Sequence, residues 1–159
     1  MTVRVGVGYD SHRFVVGRPL VLGGLRIAHP FGLAGHSDAD AVAHALTDAI
    51  LGAAGAGNIG QLFPDSDPQW KDADSMELLR TAHELVRGRG YAVVQADLTV
   101  ITEAPKLGPH VAGMGAALAA RLGLAPGAIN VKAKTNEGMG FIGRGEGLAV
   151  IAVATLEAR

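Results

Sequence analysis

Residues 35–53 read Gly-His-Ser-Asp-Ala-Asp-Ala-Val-Ala-His-Ala-Leu-Thr-Asp-Ala-Ile-Leu-Gly-Ala. The stretch predicts an amphipathic helix, because its apolar residues recur at helical spacing. These residues are Ala41, Val42, Ala45, Leu46, Ala49, Ile50 and Ala53. Ser37, followed by Asp40 three positions later, has the pattern of a capping box, so we expect the helix to start at Ser37. Gly55 and Gly57 predict its end.

The segments around this helix predict a mixture of strands and helices. We expect strands at 3–7, 91–102, 131–135 and 148–156, a hairpin at 19–27 turning at Gly23-Gly24, and helices beginning at Asp74 or Ser75 and at Pro109. Val94 is placed on the apolar face of the strand at 91–102. Loops are expected at 29–35, 60–71 and 136–147. This order predicts an α+β fold, a single domain over residues 1–159, with a mixed β-sheet and helices packed on one face.

The composition limits the chemistry. A chain of 159 residues suggests one domain, and the absence of Cys excludes disulfides and thiolate metal sites. A formal net charge of -1 without charge runs argues against binding to nucleic acid or to an anionic membrane. We find no signal peptide and no apolar run long enough to span a bilayer, so we expect a soluble, cytoplasmic protein.

A metal site is the main chemical hypothesis. Asp10 and His12 share one face if the first strand continues that far. His44 lies on the side of the predicted helix away from the apolar stripe. Two imidazoles and one carboxylate leave an open position on zinc. Asp48 or Asp40, each one turn from His44, is expected to fix its tautomer.

Spacing alone supports a simpler interpretation, in which Asp10 and His12 form a turn and His44 is a surface residue. Four other histidines remain alternatives for the third ligand: His29, His36, His83 and His110. His83 has a structural position among apolar residues, and His110 is expected at the surface.

Three regions suit phosphate groups. His36-Ser37 lies where we expect the free N–H groups of the first helix. Lys132, Lys134, Thr135 and Asn136 bring charges and donors together. Residues 138–147 supply many backbone N–H groups and Arg144, but they match neither a P-loop nor a Rossmann fingerprint. Taken singly, each region is better explained as a flexible loop with solvated charges.

Six blocks of sequence then carry a resemblance to a known family. They are residues 8–12 (GYDSH), 35–49 (GHSDADAVAHALTDA), 62–68 (LFPDSDP), 104–106 (APK), 132–137 (KAKTNE) and 143–147 (GRGEG). In this order and over the whole chain they resemble the 2-C-methyl-D-erythritol 2,4-cyclodiphosphate synthase family. The Ser-Asp-Ala-Asp…His and Gly-Arg-Gly-Glu-Gly blocks are the most specific.

The resemblance implies an enzyme of the non-mevalonate isoprenoid route, a phosphorus–oxygen lyase. It would convert 4-diphosphocytidyl-2-C-methyl-D-erythritol 2-phosphate to the 2,4-cyclodiphosphate and CMP, by attack of the 2-phosphate on the β-phosphorus. It implies a zinc ion or another divalent transition metal, a second cation (Mg²⁺ or Mn²⁺), and a homotrimer with active sites between subunits.

The resemblance also implies roles for individual residues. The zinc ligands would be Asp10, His12 and His44, the Mg²⁺ or Mn²⁺ ligand Glu137, and the transition-state stabilisers His36 and Thr135. Substrate would be bound by Ser37, Asn58, Ile59, Gly60, Phe63, Pro64, Asp65, Ser66, Asp67, Thr102, Glu103, Ala104, Pro105, Lys106, Leu107, Gly108, Lys134, Asn136, Phe141 and Arg144. Arg144 and Glu146 resemble a pair near the trimer axis, beside an apolar cavity.

One position departs from the family pattern, which usually has Asp where this chain has Asn58. An amide accepts with one end and donates with the other, so its contact with hydroxyls is less secure.

Two rival functions remain. The first is a non-haem iron oxygenase, which uses two His and one carboxylate but favours an all-β barrel. The second is a non-catalytic metal- or nucleotide-binding trimer, which would not need the second phosphate-binding surface at residues 134–137.

Overall fold

The computed structural model describes residues 2–159, so the first residue of the predicted domain, Met1, lies outside the described residues. A five-stranded sheet has the order β4-β1-β7-β5-β6. The strands are β1 (Val3–Val16), β4 (Phe31–Leu33), β5 (Tyr91–Ile101), β6 (Ile129–Lys134) and β7 (Gly147–Ala158), and β2 (Leu20–Leu22) and β3 (Leu25–Ile27) form a separate hairpin. β5 and β6 run parallel and the other pairs antiparallel. The prediction of a mixed sheet is confirmed.

The helices cover one face of this sheet. They are α1 (Ala41–Ala53), α2 (Ile59–Leu62), α3 (Ser75–Gly88), α4 (Val111–Arg121) and α5 (Gly140–Gly143). α1 lies directly on β1, at Gly6 and Gly8. A Cβ at Gly6 would lie 2.0 Å from the Ala49 carbonyl oxygen, and one at Gly8 would lie 1.9 Å from that of Ala45. Only glycine permits this close approach of helix and strand.

The opposite face of the sheet is apolar and open. The alternation of β1 places Val5, Val7 and Tyr9 on it, where they are 61%, 65% and 55% exposed. Ile151 and Val153 of β7 extend the patch on the neighbouring strand. One face therefore holds the core, and the other presents contiguous apolar side chains to whatever covers it.

The prediction that Ser37 starts the first helix is wrong, because Asp40 is the N-cap of α1. Asp40 Oδ1 accepts from the N–H groups of Val42 and Ala43 at 3.1 and 3.0 Å. The same carboxylate accepts from Gly23 and Gly24 at 2.8 and 2.7 Å. Burial raises the pKa of Asp40 to about 6, although the backbone N–H groups lower it. Asp40 therefore joins the predicted hairpin turn to the helix.

Five further expectations need correction. The expected loop at 29–35 contains β4, and the one at 60–71 contains most of α2 and a 3₁₀ turn at Pro68–Trp70. Val94 is 44% exposed, because a bulge between Val93 and Gln95 places Val93 on the buried face. The third helix begins with a 3₁₀ turn at Gly108–His110 before α4, and the Gly-rich loop contains α5. Each feature is too short, or too dependent on a neighbouring strand, for periodicity to reveal it.

Within residues 2–159, none of the helices is long and apolar enough to cross a membrane.

Candidate metal centre and nucleotide cavity

Asp10, His12 and His44 meet in space. β1 continues through both Asp10 and His12 and turns them toward α1, which carries His44. His12 Nε2 lies 2.8 Å from Asp10 Oδ2, His44 Nδ1 lies 3.5 Å from the same oxygen, and the two ring nitrogens are 3.3 Å apart. Ligand atoms around a tetrahedral zinc ion with bonds of about 2.1 Å lie about 3.4 Å apart. The prediction that these three residues form one cluster is confirmed.

An orphaned atom supports this interpretation. Asp10 Oδ2 is buried and accepts no hydrogen bond from any described residue, although two ring nitrogens lie beside it. His12 Nδ1 lies 2.6 Å from the Ala34 carbonyl oxygen, which only accepts, so Nδ1 carries the proton and Nε2 presents a lone pair. A buried carboxylate oxygen that faces the lone pair of a ring nitrogen is unfavourable unless a cation binds between the two atoms. The donor set therefore fits a divalent metal of the zinc type.

The side chains of the cluster also shift one another's pKa values. Burial raises the pKa of Asp10, but the neighbouring His12 and His44 rings outweigh burial and hold that pKa below its ordinary value. Burial lowers the pKa of His12, but the neighbouring Asp10 carboxylate outweighs burial and raises that pKa above its ordinary value. The Asp10 carboxylate therefore stays ionised, and its negative charge favours a cation beside it.

Both residues expected to orient His44 prove to have other partners. Asp48 accepts from the N–H of Ile59 at 2.7 Å, and Asp40 caps α1. Instead, His44 Nε2 lies 2.8 Å from Ser75 Oγ and 3.1 Å from Ser37 Oγ. No sequence pattern indicated that Ser75 contacts His44, because Ser75 simply follows Asp74 as the first residue of α3.

The other histidines do not join the cluster. His29 packs against Phe14 and Phe31. His83 is buried on α3, where burial lowers its pKa, and His110 ends a 3₁₀ turn. His36 lies in the same cavity as the cluster without belonging to it.

A cavity of about 190 Å³ opens onto the metal cluster, and we call it the metal-side cavity. It brings together several residues predicted to bind substrate: His36, Ser37, Ile59, Gly60, Phe63 and Asp65. It also contains Gly35, Trp70 and Leu78, which sequence reasoning missed. Trp70 packs edge-to-face on Phe63 with centroids 4.9 Å apart, and its buried indole N–H has no partner among residues 2–159.

The remaining polyol candidates lie beside this cavity in structural positions. Asn58 Oδ1 accepts from the N–H of Gln61 at 2.9 Å and so caps α2. Asp67 Oδ1 accepts from Gln69 N–H at 3.0 Å, and its carbonyl oxygen lies 3.2 Å from His36 Nε2. Pro64 and Ser66 are exposed between them. Asn58 therefore supports the backbone of α2, which carries Ile59 and Gly60.

A second cavity, of about 240 Å³, lies where β5 and β6 end, and we call it the nucleotide-side cavity. Its walls match the predicted cytidine pocket and part of the phosphate surface: Thr102, Glu103, Pro105, Lys106, Leu107, Gly108, Ala133, Lys134 and Thr135. Thr102 Oγ1 donates to the exposed Ala104 carbonyl at 2.7 Å. Glu103 Oε1 accepts from the N–H groups of Asn136 and Gly138 at 2.9 and 3.3 Å, which fixes the turn that carries the exposed Glu137.

The two cavities lie at the same end of the sheet. Val150 of β7 pairs with Asp10 of β1 on one side and with Val100 of β5 on the other. Two strand spacings separate these neighbours by about 10 Å. Within the described part of the chain, the two cavities share no lining residue.

The remaining substrate candidates lie elsewhere. Phe141 lines a third, smaller cavity of about 180 Å³ with Ser11, His12, Arg13, Glu146 and Gly147. Arg144 Nε donates to Glu146 Oε2 at 2.8 Å, so the two residues form the expected pair. The structure thus separates Phe141 and Arg144 from both larger cavities.

Known proteins share the sequence pattern and the fold of this chain. A curated relative from Bordetella avium, a 2-C-methyl-D-erythritol 2,4-cyclodiphosphate synthase, is 58% identical over 153 residues, which are 96% of this chain and 94% of that protein. The bifunctional IspDF of Campylobacter jejuni superposes with a TM-score of 0.96 at 46% identity. The match covers 99% of this chain but only 43% of that longer enzyme.

A Plasmodium falciparum protein, IspF in complex with CDP, superposes with a TM-score of 0.86 at 32% identity, covering 99% of this chain and 97% of that one. The YgbB family model matches residues 3–157. With relatives this similar over nearly its whole length, the chain belongs to the YgbB family.

Proposed function

We propose that this chain is a 2-C-methyl-D-erythritol 2,4-cyclodiphosphate synthase, a phosphorus–oxygen lyase of isoprenoid biosynthesis. It converts 4-diphosphocytidyl-2-C-methyl-D-erythritol 2-phosphate to the 2,4-cyclodiphosphate and CMP. The observation that carries the proposal is the buried, hydrogen-bond-free Asp10 Oδ2 between two imidazoles at the floor of a cavity. The curated relatives carry this activity in their names.

The metal cluster suits one part of this chemistry. A zinc ion held by Asp10, His12 and His44 would supply Lewis-acid polarisation of a phosphate oxygen. Asp10 keeps its negative charge, because the two histidines hold its pKa low. His12 and His44 turn unprotonated nitrogens toward the ion, because each has a hydrogen-bond partner for its other ring nitrogen. The three side chains would thereby hold an ion that orients the β-phosphate.

The phosphate-binding residues complete the site. Lys134 and Thr135 lie at the end of β6 and offer a positive charge and a hydroxyl donor. His36 and Ser37 offer donors from the metal side. The exposed Glu137 carboxylate suits Mg²⁺ or Mn²⁺, which bind one or two carboxylates together with substrate phosphates. The attacking 2-phosphate is already an anion, so positioning and charge stabilisation supply most of the catalysis.

The arrangement favours a homotrimer with shared active sites. Each chain carries a metal-side and a nucleotide-side cavity with no common lining residue among those described. A substrate with a diphosphate between cytidine and polyol needs both surfaces. Apposition of the metal side of one subunit and the nucleotide side of the next supplies them, and the exposed apolar sheet face provides an area to bury on assembly.

Val7→Glu tests the assembly, because it places a charge on the open sheet face. We expect it to give monomers by sedimentation equilibrium, whereas Val16→Glu, at an 80% exposed position at the far end of β1, keeps the trimer. A trimer in both variants, or a monomeric parent chain, contradicts the proposed assembly.

The direct test is product formation. Protein loaded with zinc and Mg²⁺ is incubated with the diphosphocytidyl 2-phosphate substrate, and CMP and the cyclodiphosphate are quantified by liquid chromatography and mass spectrometry. We expect equal amounts of the two products, loss of activity after chelation, and recovery on adding metal. If the metal-loaded protein forms no CMP, the proposal fails.

The two rivals explain less of the structure. The oxygenase hypothesis favours an all-β barrel, whereas the sheet here is open and carries helices on one face. A non-catalytic binding trimer accounts for the cavities but predicts no turnover, so the product assay separates it from the synthase.

A further inference from the structure

His44 is joined to a carboxylate through a buried serine. Its Nε2 lies 2.8 Å from Ser75 Oγ, and the Ser75 hydroxyl contacts Asp38 Oδ1. Ser75 is fully buried at the start of α3, and Asp38 lies two residues before the N-cap of α1. The hydrogen-bond chain His44–Ser75–Asp38 thus joins the start of α3 to the first helix and the loop before it, more than 30 residues away in sequence.

The direction of these hydrogen bonds follows from what each group can do. A carboxylate only accepts, so the Ser75 hydroxyl donates to Asp38. Ser75 Oγ is then left with lone pairs toward His44, and Nε2 must be the donor. Ser37 Oγ lies 3.1 Å from the same nitrogen and accepts from Ala39 N–H at 3.2 Å. Its second lone pair can accept from Nε2, because its own proton can be donated to Ser75 Oγ, 3.3 Å away. The result leaves His44 Nδ1 unprotonated, beside Asp10 and His12.

The loop that carries Asp38 holds its carboxylate against the start of α3. Asp38 also accepts from the backbone N–H groups of Ser75 at 3.2 Å and Asp40 at 3.0 Å. Ala39, between the two aspartates, has φ of 59° and is completely buried. This left-handed conformation is costly for alanine. It lets Asp38 contact α3 while Asp40 caps α1.

We infer that Asp38, acting through Ser75, is a positioning residue that holds His44 in the Nε2-protonated tautomer and thereby directs Nδ1 to the metal. The inference rests on the proposed metal site. Hydrogen-bond partners behind a ligating histidine fix its tautomer and orientation, and their loss weakens metal binding by about 10- to 100-fold. Neither Asp38 nor Ser75 needs to contact the substrate.

The first test reads the tautomer directly. Nitrogen NMR of the metal-free chain, labelled at histidine and held at alkaline pH where imidazoles are neutral, reports which ring nitrogen of His44 carries the proton. We expect the Nε2–H form in the parent chain and a mixture of both tautomers in Ser75→Ala. A predominant Nδ1–H form in the parent chain, or an unchanged tautomer in Ser75→Ala, overturns the inference.

The second test measures zinc affinity by competition with a chelator. We expect Ser75→Ala and Asp38→Asn each to weaken zinc binding by about 10- to 100-fold. The double variant should be no weaker than the poorer single variant, because both changes break one chain of hydrogen bonds. Unchanged affinity in Ser75→Ala, or additive losses in the double variant, overturns the inference.

A control separates positioning from general damage to the helix. Thr47 is buried on α1 three residues after His44, but its hydroxyl donates to the Ala43 carbonyl and makes no contact with His44. Thr47→Val should keep the parent zinc affinity, and an equal loss there contradicts the specific role of Ser75. If the parent chain itself binds no zinc, the proposed metal site fails. If it binds zinc and Ser75→Ala binds equally well, only the relay fails.

Discussion

The metal-side and nucleotide-side cavities are built by different means. Side chains buried between β1, α1 and α3 form the metal side, where His44 and Ser75 are 9% and 0% exposed. The nucleotide side consists of exposed loops at the ends of β5 and β6, shaped by backbone contacts such as those of Glu103. The first is rigid because it is part of the core, whereas the second lies at the surface.

The difference follows from what each cavity must recognise. A metal ion needs ligand atoms held within a few tenths of an ångström, which packing and hydrogen bonds behind the ligands provide. A nucleotide base offers edges that backbone groups can read, and in the proposed trimer its pocket would be completed by assembly. Substitutions on the metal side should therefore affect folding and metal content, and those on the nucleotide side should affect turnover alone.

Gly8→Ala should give the largest loss of stability among the variants. A small loss would contradict the proposed difference between the two cavities. The added Cβ would lie 1.9 Å from the Ala45 carbonyl oxygen, so α1 must move away from β1. We expect a loss of at least about 3 kcal/mol of unfolding free energy, measured by urea denaturation. Gly108→Ala is the matched control on the nucleotide side, since its Cβ meets nothing within 4 Å. Equal stability of the two variants would contradict the argument.

His44→Ala should abolish stoichiometric zinc binding while the fold persists. Alanine is a strong helix former, so α1 remains, but the cluster loses one of its three ligands. Zinc is measured by mass spectrometry after gel filtration, with His110→Ala as the histidine control. Retention of one zinc ion per chain in His44→Ala would remove this residue from the site.

Thr135→Ala should lower turnover without changing zinc content. Its hydroxyl lies at the nucleotide-side cavity, away from the metal cluster. Removal of one donor to a developing charge costs about 100-fold in turnover. Steady-state CMP release and zinc content are measured on the same preparation. Unchanged turnover would exclude the catalytic role, and a parallel loss of zinc would show that the two cavities are not independent.

Asn58→Asp should give the smallest effect. Asn58 caps α2 through Oδ1, and aspartate caps a helix as well as asparagine does. We expect a stability change within about 0.5 kcal/mol and a Michaelis constant close to that of the parent chain. A tenfold or larger change in the Michaelis constant would mean that this side chain contacts the substrate hydroxyls directly.

Much of the fold was predictable from local patterns. The alternation in β1 and the apolar stripe of α1 gave the correct element types, and Gly23-Gly24 marked the hairpin turn. The cap of α1 was misassigned because Ser37 and Asp40 both suit an N-cap, and only the contact of Asp40 with the hairpin distinguishes them. The bulge at Val93 was missed because it depends on the register with β7.

The candidate site was also predictable only in part. Asp10, His12 and His44 were identifiable because their residue types are metal ligands and the surrounding blocks match one family. The residue behind His44 was misassigned to its own helix neighbours, Asp48 and Asp40. Trp70 was missed because nothing in its local pattern indicates a cavity wall.

The amino-acid sequence by itself determined the long strands and helices, the chemical identity of the candidate metal ligands, and the family. Periodicity and residue type are local properties, so they can be recognised without knowledge of the fold. The tertiary structure alone decided that Ser75 and Asp38 stand behind His44, and that Gly6 and Gly8 admit α1. Those contacts join residues 31 to 43 positions apart, so they exist only once β1, α1 with the loop before it, and α3 are packed together.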